Sequence, residues 1–193
     1  NKIGDIYSAF NWLKHRGPDE TKTKIMGEFF IGFHRLAIVG VEDKESSQPI
    51  KLKRKSIDML FNGEIFNYKN IANEKLKDSS INFRSDTMVL SELIDIYGFN
   101  CLQYLDGMFS IALINFAQNK VTLIRDRYGI KPLYYSFING NIIFSSHIKP
   151  ITEILNQKKA NSDVIFTYLN SGLYDHSEQT FFEGVYSVPP GHI

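Results

Sequence analysis

An α+β fold, with antiparallel sheets packed beneath helices, is what this sequence predicts. Strand-length apolar runs in the second half are joined by Gln118-Asn119 and Asn139-Gly140, pairs that turn one strand back on the next. Helix-period segments flank those runs, an arrangement that favours antiparallel sheets over a parallel βαβ order. No internal repeat, linker or low-complexity tract interrupts the 193 residues.

The elements follow in order. Ile3, Ile6, Tyr7, Phe10 and Leu13 recur at helical intervals, which predicts an amphipathic helix over Ile3–Leu13 that Gly17-Pro18 ends. Strands are expected at Glu28–Phe33, Leu36–Val39 and Ile57–Phe61, with the basic run Lys51–Lys55 as a solvated hairpin loop. Asn67–Leu76 predicts a short helix. Asp86 stands where another begins, and Val89, Leu90, Leu93 and Ile94 carry its period to Tyr97. Strands then follow at Met108–Phe116, Val121–Arg125, Leu133–Phe137 and Asn141–Ser145, and helices at Ile148–Leu155 and Val164–Leu169.

With 43% hydrophobic residues, among them 15 Phe and 10 Tyr, the chain suffices for one domain with a substantial core. A net charge of +1 gives no case for nucleic acid as a partner. No apolar stretch reaches membrane-spanning length, and the start does not read as a signal peptide. A single cysteine excludes an internal disulfide, in keeping with a cytoplasmic setting. The five histidines show no zinc-ligand spacing, so no metal is expected.

Chemistry concentrates at Asn62-Gly63-Glu64, which follows the apolar Ile57, Met59 and Phe61. A side-chain amide, an unhindered backbone N–H and a carboxylate arrive together, the parts that hold an oxyanion and a neighbouring ammonium. Asn-Gly is equally a tight-turn signal, and both readings stand at this level. Arg35 offers a planar fork to a carboxylate, or is a surface arginine on a strand edge. Asp86 reads as a helix N-cap, as an ammonium ligand, or as both at once. Cys101, with apolar neighbours, reads as a buried structural thiol. Arg125-Asp126-Arg127 reads as an ion-pair cluster.

Taken in order, His15-Arg16-Gly17-Pro18-Asp19, Arg35-Leu36-Ala37-Ile38-Val39, Asn62-Gly63-Glu64-Ile65-Phe66-Asn67-Tyr68, Ser85-Asp86 and the run Arg125–Tyr135 resemble the glutamine-hydrolysing domain of asparagine synthetases, a class II glutamine amidotransferase. The likeness extends from His15 to His192. It implies the four-layer αββα sandwich of two antiparallel sheets found in N-terminal-nucleophile hydrolases. It also implies an oxyanion hole from Asn62 and Gly63, a carboxylate clamp at Arg35, backbone contacts at Ile38 and Val39, and binding of the substrate ammonium by Glu64 and Asp86. The segment His15–Asp19 is expected to shape the pocket without a chemical role.

Family members attack the amide with the thiol of their first residue, on a Cys-Gly-Ile strand. Residue 1 here is Asn1, so the resemblance implies a domain over 1–193 that lacks its opening strand and nucleophile. His147 stands where the family has glutamate. Within these residues no cofactor is implied. A C-terminal synthetase domain that amidates aspartate with ATP and magnesium is the implied partner beside glutamine, and a homodimer is compatible with it. Two alternatives stay open: a glutamine-binding module without a nucleophile, and an acceptor other than aspartate.

Overall fold

The computed structural model describes residues 2–36, 46–77, 79, 83–156 and 158–193. Helix α1 (Lys2–Asn11) and a 3-10 turn (Lys14–Arg16) lead into the hairpin β1 (Glu20–Met26) and β2 (Phe29–Arg35). Next come β3 (Ile50–Leu52), β4 (Ile57–Ile65), α2 (Tyr68–Lys75), α3 (Asp86–Tyr97) and a 3-10 segment, Gly98–Tyr104. The remainder is β5 (Gly107–Asn115), β6 (Lys120–Arg125), β7 (Tyr134–Ile138), β8 (Asn141–Ser145), α4 (Ile148–Leu155), α5 (Ser162–Ser171) and β9 (Tyr186–Ser187).

All strand pairings among the described residues are antiparallel. Among the described residues the strands form sheets ordered β3-β4-β5-β6, β1-β2 and β8-β7-β9. The four-stranded sheet makes one β layer. On one of its faces Met59, Phe61, Ile65, Phe109, Ile111 and Leu113 meet Ile71 of α2 and Val89, Leu90, Leu93 and Ile94 of α3. Each such side chain, once buried, contributes about 1.5–3 kcal/mol. On the other face Leu60, Ala112 and Ile114 meet Ile31, Phe29 and Phe33 of β2 and Phe144 of β8. The second β layer is therefore built from two separately hydrogen-bonded pieces.

Helices α1 and α4 cover that second layer and pack on each other. Gly32 permits the approach of α1, because a Cβ there would lie 2.6 Å from the Phe10 ring. Phe10 stacks on His34 with ring centroids 3.9 Å apart, and the His34 ring hydrogen-bonds Thr21 Oγ1 and the Phe10 carbonyl. The result is the expected order helix, sheet, sheet, helix. An ion pair between the half-buried Lys24 of β1 and the buried Asp58 of β4 crosses between the two β layers.

Three expectations change, and one strand is not among those expected. Strand β1, polar from Glu20 to Lys24, is held by its seven-residue register with β2 rather than by burial. Of the expected strand Leu36–Val39, Leu36 lies outside β2 and is exposed, while 37–39 fall outside the described residues. The basic run is not simply a solvated loop: Ile50–Leu52 pair with β4. Arg54 then pairs with Glu92 and Asp95, and Lys55 Nζ donates to the Ile94 carbonyl, fixing the β3–β4 turn on α3. Finally, Arg125 and Asp126 do not pair with each other. The Arg125 guanidinium donates to the Gly129, Lys131 and Val188 carbonyls and to Ser187 Oγ. Asp126 accepts backbone N–H groups from Phe109, Tyr128, Ile130 and Lys131. No helix among the described residues is long and apolar enough to cross a membrane.

Candidate functional site

Asn62-Gly63-Glu64 is strand, not turn. It lies in β4 with Asn62 opposite Ser110, Gly63 opposite Phe109 and Glu64 opposite Met108. A Cβ on Gly63 would stand 2.1 Å from the Met108 carbonyl oxygen, so only glycine lets the two backbones lie this close.

The ladder fixes where each group points. Phe109 exchanges backbone bonds with the Asp126 side of the sheet, donating to Asp126 Oδ2 and accepting from Asp126 N–H. In an antiparallel ladder bonding direction alternates, so Phe61, Gly63 and Ile65 direct their N–H groups away from β5. At Phe61 that edge is filled by the Gln48 side chain, which accepts the N–H at 2.6 Å and donates to the carbonyl at 2.9 Å. At Ile65 it is filled by Asp86 Oδ2, which accepts the N–H at 3.0 Å. Between them the Gly63 N–H faces the β3 side of the strand, and no group among the described residues takes it.

Side chains alternate as well. Asn62 and Glu64 share a face with Leu60 and Asp58, toward the second β layer that ends in Arg35. Among the described residues no hydrogen bond holds the Asn62 amide, and neither Glu64 nor Asp86 has a cationic partner. An uncommitted amide and an adjacent uncommitted N–H can converge on one oxygen beyond the sheet edge.

Asp86 is the first residue of α3, and Ser85 is its N-cap, with Ser85 Oγ accepting the Met88 N–H at 3.3 Å. The Asp86 carboxylate is 5% exposed and holds Thr87 N–H on one oxygen and Ile65 N–H on the other. Burial pushes its pKa up, the bonds from Ile65 and Thr87 pull against that without cancelling it, and the Glu64 charge adds to the rise. Two neighbouring carboxylates with no cationic partner among the described residues can accept one.

Arg35 closes β2 opposite Glu20, its guanidinium 3.8 Å from Glu20 Oε2. Ser47 Oγ donates to Glu20 at 2.6 Å, the main cause of that carboxyl's lowered pKa. The neighbouring Ser46 hydroxyl meets Ser85 Oγ at 2.6 Å. Residues 46–48 therefore touch the supports of all three described parts: Glu20 beside Arg35, Phe61 before Asn62, and Ser85 before Asp86. Reading the sequence by period missed these residues, since a braced loop leaves no periodic trace. Ile38 and Val39 lie outside the described residues.

Other candidates sit elsewhere. Cys101 is fully buried and burial raises its thiol to about 11, so it is an inert core group. His147 caps α4 by accepting the Lys149 N–H on Nδ1. His15 lines an open cleft with Ser8, Asn11, Trp12, Lys14 and Pro18, while Arg16 donates to the Ser146 carbonyl. A second cleft, between Phe99, Lys120, Tyr135, Glu178 and His192, likewise excludes the β4 edge.

A family model described as a glutamine amidotransferase domain matches residues 1–193. An asparagine synthetase (glutamine-hydrolysing) of Bacillus subtilis is 33% identical over 187 residues, 93% of this chain and 24% of that protein. One from Triphysaria versicolor is 32% identical over 182 residues, 94% of this chain and 26% of that protein. The chain thus spans about a quarter of the length of these curated relatives. Among solved structures, the glutamine phosphoribosylpyrophosphate amidotransferase of B. subtilis, complexed with ADP and GMP, superposes with a TM-score of 0.57 at 22% identity. That match covers 68% of this chain and 30% of the other. An allosteric regulatory enzyme of purine biosynthesis gives a TM-score of 0.58 at 23% identity, with the same coverage.

Proposed function

Since the chain belongs to the glutamine amidotransferase domain family, we propose that residues 1–193 bind glutamine and stabilise the transition state in which an N-terminal thiol cleaves its side-chain amide to glutamate and ammonia. The observation that carries this reading is the Gly63 N–H, which lies between two N–H groups already taken and has, like the Asn62 amide beside it, no partner among the described residues.

Arg35 binds the substrate α-carboxylate through its fork, aided by backbone at Ile38 and Val39. Glu64 and Asp86 take the α-ammonium, which supplies the cation their site lacks. A thiolate, which family likeness assigns to an N-terminal cysteine, attacks the amide carbon. The carbonyl oxygen gains negative charge, and Asn62 Nδ2 and Gly63 N–H donate to it. Collapse expels ammonia as a proton reaches the leaving nitrogen, leaving a γ-glutamyl thioester that water hydrolyses. The ammonia then serves ATP-dependent amidation of aspartate by a second, C-terminal domain. ATP and magnesium belong to that reaction. Residues 1–193 contain no Ser-Gly-Gly-x-Asp-Ser phosphate loop, so their chemistry is not assigned to these side chains.

The test is Asn62→Ala in the protein bearing the terminal cysteine. Glutamine-dependent kcat should fall about 10²–10³-fold with KM little changed, because the amide meets charge present only in the transition state. Ammonia-dependent synthesis should survive, since free ammonia bypasses the site. A folded variant whose kcat stays within about twofold of the parent overturns the assignment.

A further inference from the structure

Strand β3 stops early, and the way it stops bears on the site. Its last described pair with β4 on this side is Ile50 with Met59. Continuing that register would set Gln48 opposite Phe61 and Ser46 opposite Gly63. The bonds to β4 on this side fall at Ile50 and would next fall at Gln48, since bonding direction alternates and position 49 faces away from β4. Gln48 holds the position opposite Phe61 with its side chain, whose amide reproduces both bonds of a backbone pair. The residue is 6% exposed, so these bonds are shielded from water. Ser46 meets Ser85 Oγ, and the β3 ladder does not reach Gly63.

We propose that Gln48 is a positioning residue for the Asn62–Gly63 pair: its amide fixes the edge of β4 one step before the oxyanion donors and ends the ladder so that the Gly63 N–H stays open. This rests on the oxyanion role proposed above. A backbone strand in the same place would continue the pairing and occupy that N–H. An apolar side chain would leave the Phe61 N–H and carbonyl unpaired in a buried site and free that stretch of β4 to shift. Misplacement of about 1 Å is enough to cost on the order of 10²-fold in rate. Ser46 and Ser47 hold the run that leads into Gln48 against Ser85 and Glu20, so Gln48 follows a segment anchored at two points.

The experiment is a double-mutant cycle in the cysteine-bearing protein, with glutamate release and the melting temperature measured on each preparation. Gln48→Met should lower kcat at least about tenfold while KM stays within about twofold. Combined with Asn62→Ala, it should add much less than it does alone, because both act on one oxyanion. Gln48→Glu provides a second reading. A neutral glutamic acid makes both bonds to Phe61, whereas the carboxylate sets an oxygen against the Phe61 carbonyl. Its kcat relative to the parent should therefore rise as pH falls, and this arm decides the matter if Gln48→Met does not fold. A loss of melting temperature alone, fully additive kinetics, or a flat pH ratio overturns the proposal. If Asn62→Ala leaves kcat unchanged, the oxyanion assignment itself falls and this inference with it. If Asn62→Ala is slow but both Gln48 variants are not, only the role of Gln48 is lost.

Discussion

Asp86 Oδ2 accepts the Ile65 N–H at 3.0 Å, fastening the first turn of α3 to β4 one residue past Glu64. The bond does two things at once. It closes the strand edge beyond Gly63, and it brings a buried carboxylate beside Glu64, whose charge helps raise the Asp86 pKa.

That raised pKa gives a pH dependence with a definite sign. In the free protein the native state holds the Asp86 proton more tightly than the unfolded chain. Between the ordinary aspartate value and the raised one, rising pH therefore removes stability. On the proposed role glutamine should reverse the preference, because its ammonium would favour the ionised carboxylate. Affinity should climb as pH rises through the raised value and then level off. Asp86→Asn should raise KM at least about tenfold, ~1.4 kcal/mol, and abolish that pH step. A KM profile with the same step in the variant would assign the titration to another group.

Arg35→Lys tests the other end of the substrate. A lysine ammonium can remain near Glu20, but it cannot present two parallel N–H groups to one carboxylate. KM for glutamine should rise several-fold to tenfold, about 1 kcal/mol, with the melting temperature unchanged. Equal KM in parent and variant would show that Arg35 does not hold the substrate carboxylate.

The helices and the central strands were legible because their apolar period matches the face they bury. Leu90, Leu93 and Ile94 of α3 and Met59 and Phe61 of β4 meet in one core. Strand β1 was not legible: Glu20-Thr21-Lys22-Thr23-Lys24 exists as strand through cross-strand bonds to β2, which local sequence does not encode. Strands β3 and β9, three and two residues long, are too short for a period. Asn62-Gly63 could be read as a turn until pairing with Ser110 and Phe109 decided it. The candidate site was legible as residue types, whereas its braces at residues 46–48 depend on tertiary approach.

Cys101 supplies a negative control for the nucleophile. With a thiol raised to about 11, roughly one molecule in a thousand carries the thiolate at pH 8, and the group is buried. Residues 1–193 alone should release no glutamate from glutamine, and Cys101→Ser should not alter activity in the cysteine-bearing protein. An alkylating reagent at pH 8 should modify the terminal thiol and spare Cys101, as read by peptide mass. Glutamate release by residues 1–193 that survives Cys101→Ser would require a different nucleophile.

The Asp126 carboxylate makes the strongest stability prediction. Burial pushes its pKa up, but four backbone N–H groups together outweigh that and hold it below the usual aspartate range. A depressed native value means that the stabilisation is present above the unfolded aspartate pKa and is lost as pH falls through the native one. Three of those donors, Tyr128, Ile130 and Lys131, shape the loop after β6. The fourth, Phe109, stands opposite Gly63 on β5. Hydrogen bonds to a charged acceptor contribute about 1.5–3 kcal/mol each, and their losses are not additive. Asp126→Ala should therefore cost at least about 3 kcal/mol, lowering the melting temperature by roughly 6–12 °C for a chain of this size. Asp126→Asn, which keeps one acceptor oxygen, should fall between parent and alanine. Denaturant unfolding at neutral and acidic pH measures both claims: the gap between parent and Asp126→Ala should narrow as pH falls. A gap under about 0.5 kcal/mol at neutral pH, or one that does not narrow in acid, would show that the carboxylate does not hold the loop.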